Sequence, residues 1–310
     1  MVRDQLGRTN TLDEALLSLT HFRPTPYLYH MATPLALSDI YIYPVKSLGG
    51  IRLTEAAVGM RGLRYDRRWL IVDARNQFMT QRQIATMALL DVAPAYNGFL
   101  LTHRQRPELL PLYIPFETTR ERTLFVTIWD DMVFALRGTP AADEWLSEAL
   151  GQECRLVYMS DMVRREVEPD KPELNPEGQL VSFADGYPYL LVGQAALDDL
   201  NERLTAPVLM DRFRPNLVFT GGVPFVEDTW SDFQVGNVPF RAVRACGRCV
   251  VTTIDQQTAQ KHPATLSTLA SYRTVGRKVM FGQNVTTSGQ GTIRVGDPLT
   301  VLNYKENSQR

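Results

Sequence analysis

The rhythm of its apolar residues constrains this chain most. Short runs of strand character recur along nearly its whole length, and helical stripes are rare. Leu37 to Tyr43 alternates, with Ile40 and Ile42 on one face and Tyr41 and Tyr43 on the other. Trp69 to Val72, Phe99 to Thr102, Leu124 to Trp129, Met132 to Leu136 and Cys154 to Met159 read as further strands, with Asp130-Asp131 as a hairpin tip. Tyr189 to Val192, Asn216 to Phe219, Phe240 to Arg244, Val250 to Ile254 and Ile293 to Leu302 continue the pattern. Two segments read as helices in the body of the chain. Pro140 opens one that runs to Leu150, and Leu197, Leu200 and Leu204 stripe the other, Ala195 to Leu204. No regular βαβ alternation is present, which excludes a doubly wound sheet. The pattern predicts an α+β, mostly β fold, with two β-rich subdomains and a few peripheral helices.

The 310 residues suit about two domains of ~150 residues. Residues 160–179 hold three prolines among many charges and read as a linker or a long mobile loop. Residues 1–33 read as an extension before the folded body. Within them Leu12 to Leu19 suits a short amphipathic helix, and Arg23 to Tyr29 an extended stretch. The tail 303–310 is polar and expected to fray. No apolar run approaches the ~18 residues of a membrane helix, and the start lacks a signal peptide's apolar core. Lys and Arg number 33 against 34 Asp and Glu, a formal charge of -1. That balance argues against a nucleic-acid polymer or a membrane surface as partner. The expectation is a cytoplasmic protein.

Three cysteines are too few for a disulfide scaffold or for the four thiolates of an ordinary iron–sulfur cluster. Two of them stand in Ala245-Cys246-Gly247-Arg248-Cys249. A thioredoxin-type pair would open a helix, yet the β-branched VVTTI follows. A zinc site would need more ligands than His262 adds. Two readings stay open, buried structural thiols and a thiolate for a soft metal, whose ionisation Arg244 and Arg248 could favour. Three basic clusters lie at strand ends: Tyr43-Pro44-Val45-Lys46-Ser47, Asp66-Arg67-Arg68-Trp69 and Arg212-Phe213-Arg214-Pro215-Asn216. Singly each suits a solvated face. With the cysteine pair they suggest an anionic metal cofactor.

Seven motifs in order then carry a resemblance: YPVKS at 43–47, DRRW at 66–69, FADGYPYLL at 183–191, FRPN at 213–216, ACGRCVVTT at 245–253, FGQN at 281–284 and IRVGD at 293–297. Together they resemble MOSC-domain proteins that carry an amino-terminal MOSC β-barrel domain, the family of the bacterial YcbX-like proteins and the mitochondrial amidoxime-reducing component. The resemblance implies two barrel-like subdomains, an amino-terminal one over 34–160 and a MOSC domain over 161–302. It implies a molybdenum cofactor, a pyranopterin dithiolene with a terminal phosphate. Cys249 matches the cysteine that completes the metal's coordination, with Cys246 a neighbour. Lys46, Ser47, Arg67, Arg214 and Asn216 match positions that hold the cofactor. Asp185, Gly186 and Tyr187 match a contacting loop, in which relatives can carry hydroxyl side chains at the last two positions. Thr80, Arg82 and Gln83 match a further patch. Asp185 is the general-acid candidate by its place in the loop, with a structural turn aspartate as the alternative.

The activity so implied is reduction of small N-hydroxylated compounds: amidoximes, hydroxylamines or N-hydroxylated bases. This chain stops soon after IRVGDPLTVL, where relatives can continue into a ferredoxin-type domain. The expectation is therefore a separate electron donor, of ferredoxin, flavodoxin, cytochrome or flavin reductase type. Two rivals remain. One is a sulfur carrier with a persulfide on Cys249. The other is a module that binds or delivers the cofactor without turnover.

Overall fold

The computed structural model describes residues 34–117, 122–171, 174–175 and 178–306. The expectations for residues 1–33 and for the last four residues fall outside these. Four sheets dominate, and the chain is mostly β, as expected.

The largest sheet has nine strands. Its order is Leu299–Tyr304, Trp230–Val235, Val238–Arg248, Lys278–Thr287, Tyr189–Gly193, Leu217–Thr220, Ala36–Ile42 and Ile51–Leu53, with Thr274–Val275 paired to the side of Lys278–Thr287. Its parallel pair, Tyr189–Gly193 with Leu217–Thr220, is linked through the helix Gln194–Glu202. The first two strands of the described chain thus sit in the same sheet as strands from the second half. Gly291–Arg294 likewise pairs with Glu55–Gly59. A four-stranded sheet joins Trp69–Asp73, Cys154–Tyr158, Asp131–Arg137 and Thr123–Ile128, and a three-stranded one joins Leu90–Ala95, Gly98–His103 and Leu112–Pro115. One core runs through both halves, from Trp69 and Phe99 to Phe219, Trp230 and Phe233.

The helix Pro140–Leu150 has the expected bounds, and its caps explain them. The Thr139 side chain accepts from Ala142 N at 3.2 Å, and Gly151 ends it in the left-handed region at φ 70. The helix Ala264–Arg273 has no counterpart in the sequence reading. It buries only Thr265 and Leu269, too narrow a stripe to announce itself.

Four expectations need correction. Val250–Thr253 is a 3-10 turn, not a strand. The Thr252 and Thr253 hydroxyls donate to the Cys249 and Val250 carbonyls at 3.0 and 2.7 Å, a local alternative that outweighs β propensity. Ile293 to Leu302 is broken at Gly296 (φ 94) into two strands of different sheets. The hairpin tip is Trp129-Asp130, because Asp131 already pairs with Ile128. The described part of 160–179 is no loose linker. Val167 is buried, Arg165 is 9% exposed, and the segment pairs back on itself through Val167 N to Gln179 O at 3.0 Å. Several of its charges turn inward or pair, which composition does not reveal.

Candidate functional site

A single cleft gathers ten of the sequence-derived site residues: Lys46, Ser47, Arg67, Arg82, Asp185, Gly186, Tyr187, Arg214, Asn216 and Cys249. Backbone hydrogen bonds tie their segments together. The first strand ends at Ile42, and beyond Pro44 the Lys46 N donates to Trp69 O at 2.9 Å. Arg67 N donates to Tyr43 O at 2.8 Å, and Phe183 N to Arg67 O at 2.9 Å. Ser47, Arg67 and Arg214 all have positive φ, at 68, 48 and 53. Such backbone costs about 1 kcal/mol or more per residue, and it aims side chains where a regular strand would not.

The floor of the cleft is cationic. Arg67 and Arg214 lie 4.3 and 4.2 Å from the centre of the buried Tyr43 ring. Arg67 also donates to Asp66 at 2.6 Å and to Asn216 Oδ1 at 2.9 Å. Asn216 in turn donates to Tyr41 O at 3.1 Å, so here it orients Arg67 and fixes the strand. Arg214 donates to Leu48 O at 2.7 Å and, among the described residues, forms no ion pair. Burial lowers its guanidinium to about 10. Arg68, next to Arg67, points elsewhere, to Met159 O at 3.0 Å.

Lys46 is 6% exposed and donates to Phe183 O at 2.8 Å and Asp185 Oδ1 at 2.5 Å. Burial brings its ammonium down to about 8, against the pull of Asp185. Burial works the other way on Asp185, but Lys46 and Arg82 overcome it and hold the carboxyl far below the usual carboxylate range. An ionised carboxylate has no proton to give. In this arrangement the Asp185 carboxylate orients Lys46 and Arg82. Arg82 donates to Asp185 Oδ2 at 2.7 Å. Burial disfavours its charge, yet the neighbouring Asp185 and Cys249 keep its pKa raised. Behind this loop Arg165 donates to the carbonyls of Ser182, Ala184 and Asp185.

Cys249 precedes the 250–253 turn, and Cys246 lies on the adjoining strand. Both thiols are free, partly exposed and in the cleft. Arg248 Nη1 donates to Cys246 Sγ at 3.2 Å, whereas Arg244 pairs with Glu168 at 2.5 Å, away from the thiols. Burial pushes the Tyr187 hydroxyl up to about 12, and that hydroxyl donates to Glu168 at 3.3 Å. A side chain at Gly186 would meet nothing within 4 Å. Thr80 is buried and its hydroxyl accepts from Arg82 N at 3.3 Å, shaping the turn from outside the cleft. Gln83 pairs with Thr80 at 3.3 Å and does not line the cleft. The third cysteine, Cys154, is buried elsewhere, and burial raises its thiol to about 11. His262 is exposed, and among the described residues no cluster of His, Cys, Asp and Glu could hold a metal alone.

Sequence reasoning missed Gln81 and Asn284. Gln81 is fully buried, donates to Ser47 O at 2.8 Å and exchanges amide bonds with Gln256 at 3.0 Å. Asn284 belongs to the FGQN motif, but nothing in its spacing marks it for the cleft. The sequence marks Arg248 only by its charge. Its Nε is buried without a hydrogen-bond partner among the described residues.

The donor set fits an anionic group that brings soft ligands of its own. Five cationic side chains (Lys46, Arg67, Arg82, Arg214 and Arg248) and the single carboxylate of Asp185 line the cleft with two thiols.

A MOSC N-terminal beta barrel domain matches residues 35–153, and a MOSC domain matches 178–300. Mitochondrial amidoxime-reducing component 1 of Mus musculus is 32% identical over 287 residues, covering 86% of this chain and 82% of the relative. The chain belongs to this MOSC-domain family. Mitochondrial amidoxime reducing component 2 of Homo sapiens is 32% identical over 285 residues, covering 85% and 82%. Molybdenum cofactor sulfurase of Oryza sativa subsp. japonica is 31% identical over 79% of this chain, but over only 32% of its own length. MOSC membership therefore leaves room for more than one chemistry at the cleft. Among the described residues no helix is long and apolar enough to cross a membrane.

Proposed function

We propose that this protein is a molybdenum-cofactor oxidoreductase that reduces small N-hydroxylated compounds with electrons from a separate donor protein. One observation carries the reading: a free cysteine shares one cleft with the buried Lys46 and the part-buried Arg67 and Arg214. When bound, the cofactor would supply a two-electron redox centre for the reductive removal of the N–OH oxygen. In balance, an amidoxime takes two electrons and two protons and yields an amidine and water.

The chain's own residues have distinct parts in this scheme. Cys249 would ligate the metal. Arg67, Arg214 and Lys46 would neutralise phosphate, with Asn216 and Asp66 holding Arg67 in place. Asp185 would keep Lys46 and Arg82 aimed into the cleft. Within these 310 residues three cysteines, one of them buried elsewhere, are fewer than the four thiolates of an ordinary iron–sulfur cluster.

The test is metal analysis of protein made in a cofactor-competent host. Near-stoichiometric molybdenum is expected, lost in Cys249→Ser and largely kept in Cys246→Ser. Absence of molybdenum with sulfane sulfur on Cys249 would instead support a carrier, as the sulfurase relative allows. Loaded protein that fails to reduce an amidoxime under chemical reduction would support storage or delivery.

A further inference from the structure

The cleft has a closed floor and an open mouth, and the mouth has chemistry of its own. Lys46 and Asn216 are buried, whereas Asp185 keeps 53% of its side chain exposed. Beside it stands Trp129, 42% exposed at the tip of the 123–137 hairpin. The Trp129 Nε1 donates to Asp185 Oδ1 at 3.3 Å. Arg82 lies 4.7 Å from the centre of its ring, and Phe78 packs on it at 4.9 Å with a tilt of 56°. The hairpin is held in turn, because Phe78 N donates to Thr127 O at 3.1 Å and Thr127 N to Asn76 O at 3.0 Å.

This tryptophan is not explained by folding alone. Its backbone is left-handed, at φ 55, in a two-residue tip where Gly, Asn or Asp is the ordinary choice. It also leaves much of an aromatic ring in water instead of in the core. Asp185 adds a second feature. A carboxylate offers about four lone-pair sites. Lys46 and Trp129 occupy Oδ1 and Arg82 occupies Oδ2, so one acceptor position on Oδ2 remains on a half-exposed side chain. Arg82, Asp185 and Cys249 line the same cleft. The open acceptor therefore lies in the cleft that holds the thiol, and the aromatic surface is bonded beside it.

We propose that Trp129 and Asp185 form a selectivity rim for flat, unsaturated N-hydroxylated compounds that carry an N–H beside the N–OH, such as aryl amidoximes and N-hydroxylated bases. This rests on the reductase reading above. The planar group stacks on the exposed part of Trp129, and the adjacent N–H donates to the open site on Asp185. A saturated alkyl hydroxylamine offers no π face and no amidine-type N–H, so the rim gives it no advantage.

The experiment uses the full chain loaded with molybdenum. Rates under chemical reduction are compared for benzamidoxime and cyclohexylhydroxylamine in the wild type, Trp129→Leu and Trp129→Phe. The ratio of kcat/KM, planar over saturated, is expected to fall about three- to ten-fold in Trp129→Leu, mainly through KM for the planar substrate. Trp129→Phe should restore most of it. In parallel, calorimetry follows benzamidine, a product-type ligand, on the same proteins, with a similar loss of affinity expected in Trp129→Leu. An unchanged ratio, or benzamidine affinity that is indifferent to residue 129, overturns the rim. If neither substrate turns over but benzamidine binding still depends on Trp129, the rim stands and the reductase reading fails.

Discussion

Replacing Lys46 with methionine should stabilise the cofactor-free protein while abolishing its function. Lys46 is almost wholly buried, and burial brings its ammonium down to about 8 from the ordinary lysine value of 10.5. At neutral pH that difference amounts to about 3 kcal/mol carried by the folded state for keeping the group charged. Methionine is similar in length and carries no charge. It gives up the bond from Nζ to Phe183 O, which leaves a buried carbonyl unpaired at a cost of about 1–2 kcal/mol. Asp185 keeps Arg82 and Trp129 and is half-exposed, so its loss is small. The net gain is about 1–2 kcal/mol, a rise of a few degrees in Tm. The pH dependence gives this mechanism a signature. Between about 8 and 10.5 the unfolded lysine binds a proton that the folded one does not, so wild-type stability rises with pH across that window. The advantage of Lys46→Met is therefore full below pH 8 and fades toward pH 10.5. Thermal denaturation of both cofactor-free proteins from pH 6 to 10 measures it, and molybdenum analysis of the same variant should show the metal lost. A variant that melts lower at pH 7, or a difference that stays constant with pH, would refute the reasoning.

Two further outcomes follow from the loop behind the cleft. Arg165→Met removes a buried guanidinium that binds three loop carbonyls and Asp131, so a loss of about 3 kcal/mol is expected. Amide exchange should quicken over residues 182–187, and protection equal to wild type there would count against the assigned role. Gly186→Ser meets open space and no left-handed backbone, so its stability should stay within about 0.5 kcal/mol of wild type with molybdenum retained, read by melting and metal content.

Legibility in the sequence followed the range of the interactions. The helix Pro140–Leu150 was readable to the residue because Thr139, Pro140 and Gly151 act within one turn. The cationic floor was readable as three motifs, since each basic residue sits beside its own strand end. The partner of each was not. Whether Arg67 or Arg68 faces the cleft depends on a left-handed backbone at Arg67 and on Asn216, 149 positions away. Likewise Arg244 and Arg248 look equivalent beside the cysteines, yet Glu168 draws one away and Phe213 O holds the other at 2.7 Å. Val250–Thr253 was misread because threonine favours strands on average but here closes a turn with its own hydroxyls.

The cleft is best understood as a product of how the two halves interleave. Lys46, Arg67 and Arg82 come from the first half, and Asp185, Arg214 and Cys249 from the second. The strand Ala36–Ile42 is not an edge ornament, since it lies between Leu217–Thr220 and Ile51–Leu53 with ladders to both. Its last turn into Pro44 places Tyr43, whose ring carries one guanidinium from each half. The Gln81–Gln256 pair closes the seam again, 175 positions apart and buried. Bringing several buried or part-buried cations together is unfavourable by itself. The arrangement persists because sheet pairing and a shared apolar core hold both halves in place. That leaves the positive charge as a standing excess, to be relieved by whatever anion the cleft receives.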